Sequence, residues 1–310
     1  MNNLSKLSLA LAATLAAGPA TANNVFLDLT PFGGGFEVSP PNTADANDTT
    51  GVFNEFGFSQ ILATSVYDFS DSSVFGSFYD TNIIGNNATA NTLAYAGVPT
   101  SGTALDGVST VNLVNPDCSA GQCDLDALSP LVPPLGSDSE GFLQSWDLQV
   151  EYTFFGNLTA AGPQYNSGTF DVFFNDFSVP GLNDVLAFSG ALTGSDVQLS
   201  NLDLFFDITF AVDDFLWIED SSAPGTFRDA ADVIAGGGNL PTLTLDTNVN
   251  PPIPTTNQLL AVVDAGGNTN AIRQTTLDGS ITAAVPEPST LALFGAALIG
   301  FGAYAKRRRS

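Results

Sequence analysis

Asp213 and Asp214, then Glu219 and Asp220, bracket the apolar run Phe215-Leu216-Trp217-Ile218. Carboxylates gathered around a short segment are the ligands a hard cation needs. Ca²⁺ takes about six to eight oxygens and is abundant outside cells, so these four residues form a candidate Ca²⁺ site. Asp124, Asp126, Asp138 and Glu140 make weaker clusters upstream. None of them has the ligand spacing and central glycine of an EF-hand loop.

Other chemistries are excluded by what is missing. The chain has no histidine, which removes Ser-His-Asp and Cys-His catalysis, His-zinc sites and imidazole bases together. Between Asn23 and Val285 there is no lysine, so Schiff-base and Ser-Lys schemes go too. Gly33-Gly34-Gly35 and Gly236-Gly237-Gly238 lack the strand-to-helix context of a phosphate loop. A carboxylate pair of glycosidase type is what remains, and with 31 acidic residues in this stretch no pair stands out. The body reads as non-enzymatic, with no cofactor beyond a possible Ca²⁺. A secreted glycosidase is the remote alternative. Trp217, beside the acids, is the better candidate for stacking on a sugar ring, whereas Trp146 falls on a face expected to be buried.

The elements that must carry these residues alternate with period two. In SWDLQVEYTFFG, Trp146, Leu148, Val150, Tyr152 and Phe154 share a face opposite Asp147, Gln149, Glu151 and Thr153. In NLDLFFDITFAVDD, Leu202, Leu204, Phe206, Ile208, Phe210 and Val212 oppose Asp203, Asp207, Thr209 and Asp213. Phe170, Val172 and Phe174 repeat the pattern against Asp171 and Asn175. Such segments are half-buried antiparallel strands. Shorter candidates such as VFLDLT, GVFNEFGFSQ, TSVYDFS, VFGSFYDT, VSTVNLV and DVLAFSGAL are separated by Gly, Asn, Asp and Ser turns. No stretch before the tail has a helical period. The fold class is therefore all-β, an antiparallel β-sandwich or jelly roll, with much of the acid on the solvent face of its strands.

Charge narrows the partners. Only Arg228 and Arg273 oppose the 31 acids of the body, so no basic patch exists for nucleic acid or anionic headgroups. Disorder does not follow from the acidity, since the chain has 24 Phe and a positive mean hydropathy.

The two ends carry targeting signals. Lys6, the apolar Leu7 to Ala17, the helix-breaking Gly18-Pro19 and the small-residue Ala20-Thr21-Ala22 read as a signal peptide over 1–22, with the mature chain starting near Asn23. In an exported chain, Cys118 and Cys123 of NPDCSAGQCDLD are expected to close a local disulfide loop. The segment 23–240 is read as the body and 241–257, PTLTLDTNVNPPIPTTN, as a Pro/Thr-rich loop or linker. Residues 258–284 supply closing strands and a tether, and 285–310 a tail. There Pro286 and Pro288 hold Val285 and Glu287 extended, as a protease would need. Ser289 or Thr290 can cap a helix. The 17 residues from Ser289 to Ala305 reach the lower length for a membrane span. Lys306, Arg307, Arg308 and Arg309 form a cytoplasmic stop that places the body outside.

This tail, Val285-Pro286-Glu287-Pro288-Ser289-Thr290 followed by a Gly/Ala-rich span and terminal arginines, resembles the PEP-CTERM sorting signal of Gram-negative bacteria. The resemblance implies processing near the triplet by an exosortase, a membrane-embedded cysteine transpeptidase. It implies transient anchoring in the inner membrane and delivery to the cell surface or an exopolysaccharide matrix. Phe53-Asn54-Glu55-Phe56-Gly57 and Gly168-Thr169-Phe170-Asp171-Val172 loosely resemble stretches of PEP-CTERM proteins linked to flocculation and biofilm formation. From that likeness a structural role in biofilm or floc is expected. A calcium-dependent carbohydrate-binding module or adhesin is the alternative.

Overall fold

A computed structural model describes residues 22–36, 48–68, 77–81, 129–131, 141–142, 144–179, 184–198, 201–248, 260–263 and 269–284. In chain order its strands are β1 (Val25–Leu27), β2 (Glu55–Asp68), β3 (Ser77–Thr81), β4 (Ser129–Leu131), β5 (Trp146–Thr159), β6 (Gly162–Asp176) and β7 (Asp184–Gln198). They continue with β8 (Asn201–Ala211), β9 (Leu216–Glu219), β10 (Phe227–Asp229), β11 (Thr242–Asn248), β12 (Leu260–Val263) and β13 (Thr269–Ala284). A 3-10 turn at Thr30–Phe32 and a short helix α1 (Ala230–Ala235) interrupt them.

The all-β antiparallel class holds. One sheet runs in the order β12-β13-β11-β8-β7-β6-β5-β3-β2-β4, and β13 pairs with β2 as well, from Asn270↔Asp68 to Thr282↔Glu55. That second pairing closes β2, β3, β5, β6, β7, β8, β11 and β13 into a ring. The two facing walls expected of a sandwich are thus opposite sides of one curled sheet. Closure hides the edge strands that would otherwise recruit other chains.

Alternation sets which side chains fill the ring. Trp146, Leu148, Val150, Tyr152, Phe154, Phe170, Val172, Phe174, Leu202, Leu204, Phe206 and Ile208 are all buried. The strict pattern breaks near the end of β8. Phe210, expected inward, is 42% exposed while Ala211 is buried. Across from them Gly190 pairs with Ile208 and Ser189 with Phe210, so Thr209 is the extra residue of a bulge. One extra residue moves every later side chain to the other face. Gly190 sits in the same bulge for a second reason: a Cβ there would run into the Phe170 ring. Asp147, expected outward, is 2% exposed and accepts a hydrogen bond from Asn175 Nδ2 at 3.0 Å.

A smaller sheet, in the order β1-β9-β10, plugs the ring near Trp146. Phe32 stacks on Phe174 at 4.3 Å and meets Phe215 edge-on at 5.0 Å, while Trp146 stacks on Phe174 at 5.4 Å. At the other end of β5 the interior is looser. A cavity of about 60 Å³ lies among Tyr67, Tyr152, Phe154, Tyr165 and Arg273.

Two sequence expectations are corrected here. The 241–257 loop or linker includes strand β11, which lies inside the ring between β8 and β13. Its short alternation, Leu243 and Thr247 buried against an exposed Asp246, is masked in sequence by the prolines that follow. The expected absence of helix before the tail overlooked α1, six residues started by Asp229, whose carboxylate accepts from Ala231 N at 3.2 Å. Among the described residues no helix is long and apolar enough to cross a membrane. Residues 1–21 of the signal segment 1–22, Cys118, Cys123, VSTVNLV and the tail 285–310 lie outside the described residues.

Candidate processing pole and acidic clusters

The two ends of the described body meet. Asn23 N donates to Ala283 O at 2.7 Å, although 260 positions separate the two in sequence. β1 holds Asn23 in place by pairing Val25 with Ile218 and Leu27 with Leu216 on β9. Phe53 reinforces this strand: Val25 N donates to Phe53 O at 2.7 Å and Phe53 N returns to Val25 O at 2.8 Å. On the other side Leu243 pairs with Ala283 and Thr242 with Ala284, the last residue of β13. The residue expected to begin the mature chain therefore docks one position before the closing strand ends. Beyond that strand lies Val285, the first residue of the proposed sorting signal.

Residues 284–309 match the PEP-CTERM protein-sorting motif. The chain thus carries a PEP-CTERM sorting signal at its C-terminal end. The motif implies an exported chain that is transiently membrane-anchored and processed by an exosortase at the cell surface. The match is confined to the C-terminal end, and no curated protein and no solved structure matches the chain. The matched segment begins at Ala284, where β13 stops. The ring is complete before the motif starts, so cleavage near Pro286 would leave the last strand whole.

The carboxylates singled out in the sequence divide between two places. Asp213 lies with Asp229 and Asp232, their carboxylate oxygens within 4.8 Å of one another. Asp214 follows in the left-handed region at φ 62, and its N donates to Asp229 Oδ2 at 3.2 Å. The neighbouring Asp214 charge, then burial, then Asp229 and Asp232 push the Asp213 carboxyl above its ordinary range. Glu219 and Asp220 are engaged elsewhere. Glu219 Oε2 accepts from Asn24 Nδ2 at 2.6 Å and Oε1 from Gly225 N at 2.6 Å. Asp220 Oδ1 accepts from Ser222 Oγ at 2.6 Å and Ser222 N at 2.9 Å, which holds its carboxyl below the usual range. Its Oδ2 faces Arg228 Nη1 at 3.6 Å.

Asp229 and Asp232 were missed in the sequence. The available signal was DAADVIAGGG, an Asp cap with a second acid in the first turn of a short helix. Trp217 is not a free platform for sugar. Its ring stacks on Phe26 at 5.6 Å with 5° between planes, and its Nε1 donates to Asp214 O at 2.9 Å.

A further row of acids crosses the outer wall. Asp196 on β7 pairs with Asp203 on β8, which pairs with Asp246 on β11. Burial first, then Asp246 and Asp196, raise the Asp203 carboxyl. Like charges directly opposite one another weaken a sheet, so this row opposes folding at neutral pH.

Proposed function

We propose that this PEP-CTERM protein is a non-catalytic, structural component of an exopolysaccharide matrix, biofilm or floc, delivered there by exosortase processing of its tail. The observation that carries this reading is the coincidence of the end of β13 with the start of the motif at Ala284. A closed payload followed at once by a removable signal suits a protein whose folded body is the product of sorting. The lack of histidine, the lysine-free body and the strongly acidic strands support a structural role over a catalytic one. An acidic barrel whose long strands are paired on both sides stays soluble at the high local concentration a matrix imposes. Deleting the chain from Pro286 onward in the native host tests the proposal. It should release the body into the medium and disperse the flocs. Release with clumping unchanged would leave the sorting intact and remove the matrix role.

A second reading, a calcium-dependent module, is favoured by the Asp213, Asp229 and Asp232 grouping. Three carboxylates with one buried member supply the hard oxygen donors that Ca²⁺ prefers. In a Ca²⁺ titration followed by thermal melting, the melting temperature should rise, and Asp232→Asn should abolish the rise. An equal rise in the variant would remove this cluster from the reading.

A further inference from the structure

The pole where the chain ends meet also contains a cavity of about 170 Å³, larger than the one inside the ring. Its polar walls are Asn23, Glu219, Asp220, Ser221, Arg228 and Asn239. Asn23 is 7% exposed, and its Nδ2 finds no hydrogen-bond partner among the described residues. A buried amide left without an acceptor forfeits its hydration with nothing in return, so retaining one calls for something that accepts from it.

The wall decides what that is. Glu219 and Asp220 are two carboxylates against one guanidinium, Arg228, so an anion is repelled on balance. Arg228 already faces Asp220, but Asn23 Nδ2 only donates, so a simple cation leaves that amide unanswered. An apolar guest would leave the same Asn23 amide unanswered. What fits is a neutral molecule bearing both donors and acceptors in close alternation, which is the chemistry of a sugar ring. At about 170 Å³ the space admits a molecule of one ring and little more. Arg228 is 46% exposed, so one side is open for a chain to continue outward.

We infer that this cavity is a binding site for one neutral pyranose unit of a polysaccharide. Asn23 Nδ2 and Arg228 donate to the sugar oxygens, and Glu219 and Asp220 accept from its hydroxyls. This rests on the matrix reading above and gives it a point of attachment. It also makes β1 docking part of ligand binding, since that strand brings Asn23 to the wall.

The test uses the full-length chain, the methyl glycosides of glucose, galactose, mannose and N-acetylglucosamine, and inorganic phosphate as the anionic control, read by saturation-transfer NMR. At least one glycoside should bind saturably and phosphate should not compete. Arg228→Gln and Asn23→Leu should each weaken binding by about tenfold or more. Asn23→Leu removes an unanswered donor at nearly constant size, so its melting temperature should hold or rise. No saturable glycoside, competition by phosphate, or affinity unchanged in both variants would overturn the site. A fall in melting temperature for Asn23→Leu would overturn the unanswered amide on which the site rests. Matrix retention of Arg228→Gln in the native host separates the two levels. Binding lost in vitro and retention lost in the host support both. A wild-type chain that binds sugar yet never localises to the matrix keeps the site and sinks the matrix role.

Discussion

The two ends of the ring are built from the same alternation and finished differently. Around Trp146 the interior is filled: Phe32, Phe36 and Trp146 all contact Phe174, and the β1-β9-β10 sheet lies over them. Around Phe154 and Tyr165 the rings leave a cavity, and the buried cation Arg273 shares the wall. A period-two pattern fixes which side chains point inward but not whether they fill the space they enclose. Filling depends on a plug from elsewhere in the chain, and among the described residues one end receives it. That plug also brings Asn23 to Ala283, so the filled end of the barrel is the end that carries the processing pole.

Core truncations separate the two ends most sharply. Trp146→Ala at the filled end should cost about 3–5 kcal/mol, as a fully buried indole packed on Phe142 and Phe174. Leu148→Ala should follow near the top of the ~2–5 kcal/mol range for such changes, whereas Leu204→Ala, which borders the existing cavity, should fall near the bottom. Urea unfolding of the three variants checks the order, and equal losses for the two leucines would erase the contrast between the ends. Gly190→Ala pushes a methyl group into Phe170 and should cost about 1–3 kcal/mol by overpacking.

The smallest effect has the opposite sign. Asp203→Asn on the outer wall should stabilise by a few tenths to about 1 kcal/mol at neutral pH. The Asp203 carboxyl is raised in the folded state, so the folded chain holds that proton more tightly than the unfolded one. Its penalty is present at neutral pH and disappears as the pH falls through the raised value toward the ordinary 3.8. The advantage of the variant should vanish over the same interval. Asp220 behaves conversely. Its lowered carboxyl contributes stability above the ordinary value, lost on further acidification. Melting temperature against pH for Asp203→Asn and Asp220→Asn reads both signs.

Legibility followed locality. Strands β5, β6 and β8 could be read because Trp146 to Phe154, Phe170 to Phe174 and Leu202 to Ile208 alternate without interruption. The Thr209 bulge could not, since nothing in DITFAV marks an extra residue until Gly190 is placed opposite. Ring closure was also invisible. Arg273 opposite Ser65 is a pairing of distant segments with no local signature, and neither strand announces its partner. For the same reason Asp213 was grouped with its sequence neighbours Glu219 and Asp220. The turn from β9 to β10 instead returns Asp229 and Asp232 to its side. The sorting motif was the exception, because its information is compositional and needs no fold.

The central claim is that a barrel completed at Ala284 is handed over by removal of both ends. Intact-mass measurement of the protein recovered from the surface or matrix of its native host tests this directly. A body beginning near Asn23 and ending near Pro286, whatever group is joined to it there, is the predicted result. A mass equal to the full 310-residue chain, with both termini in place, would contradict it.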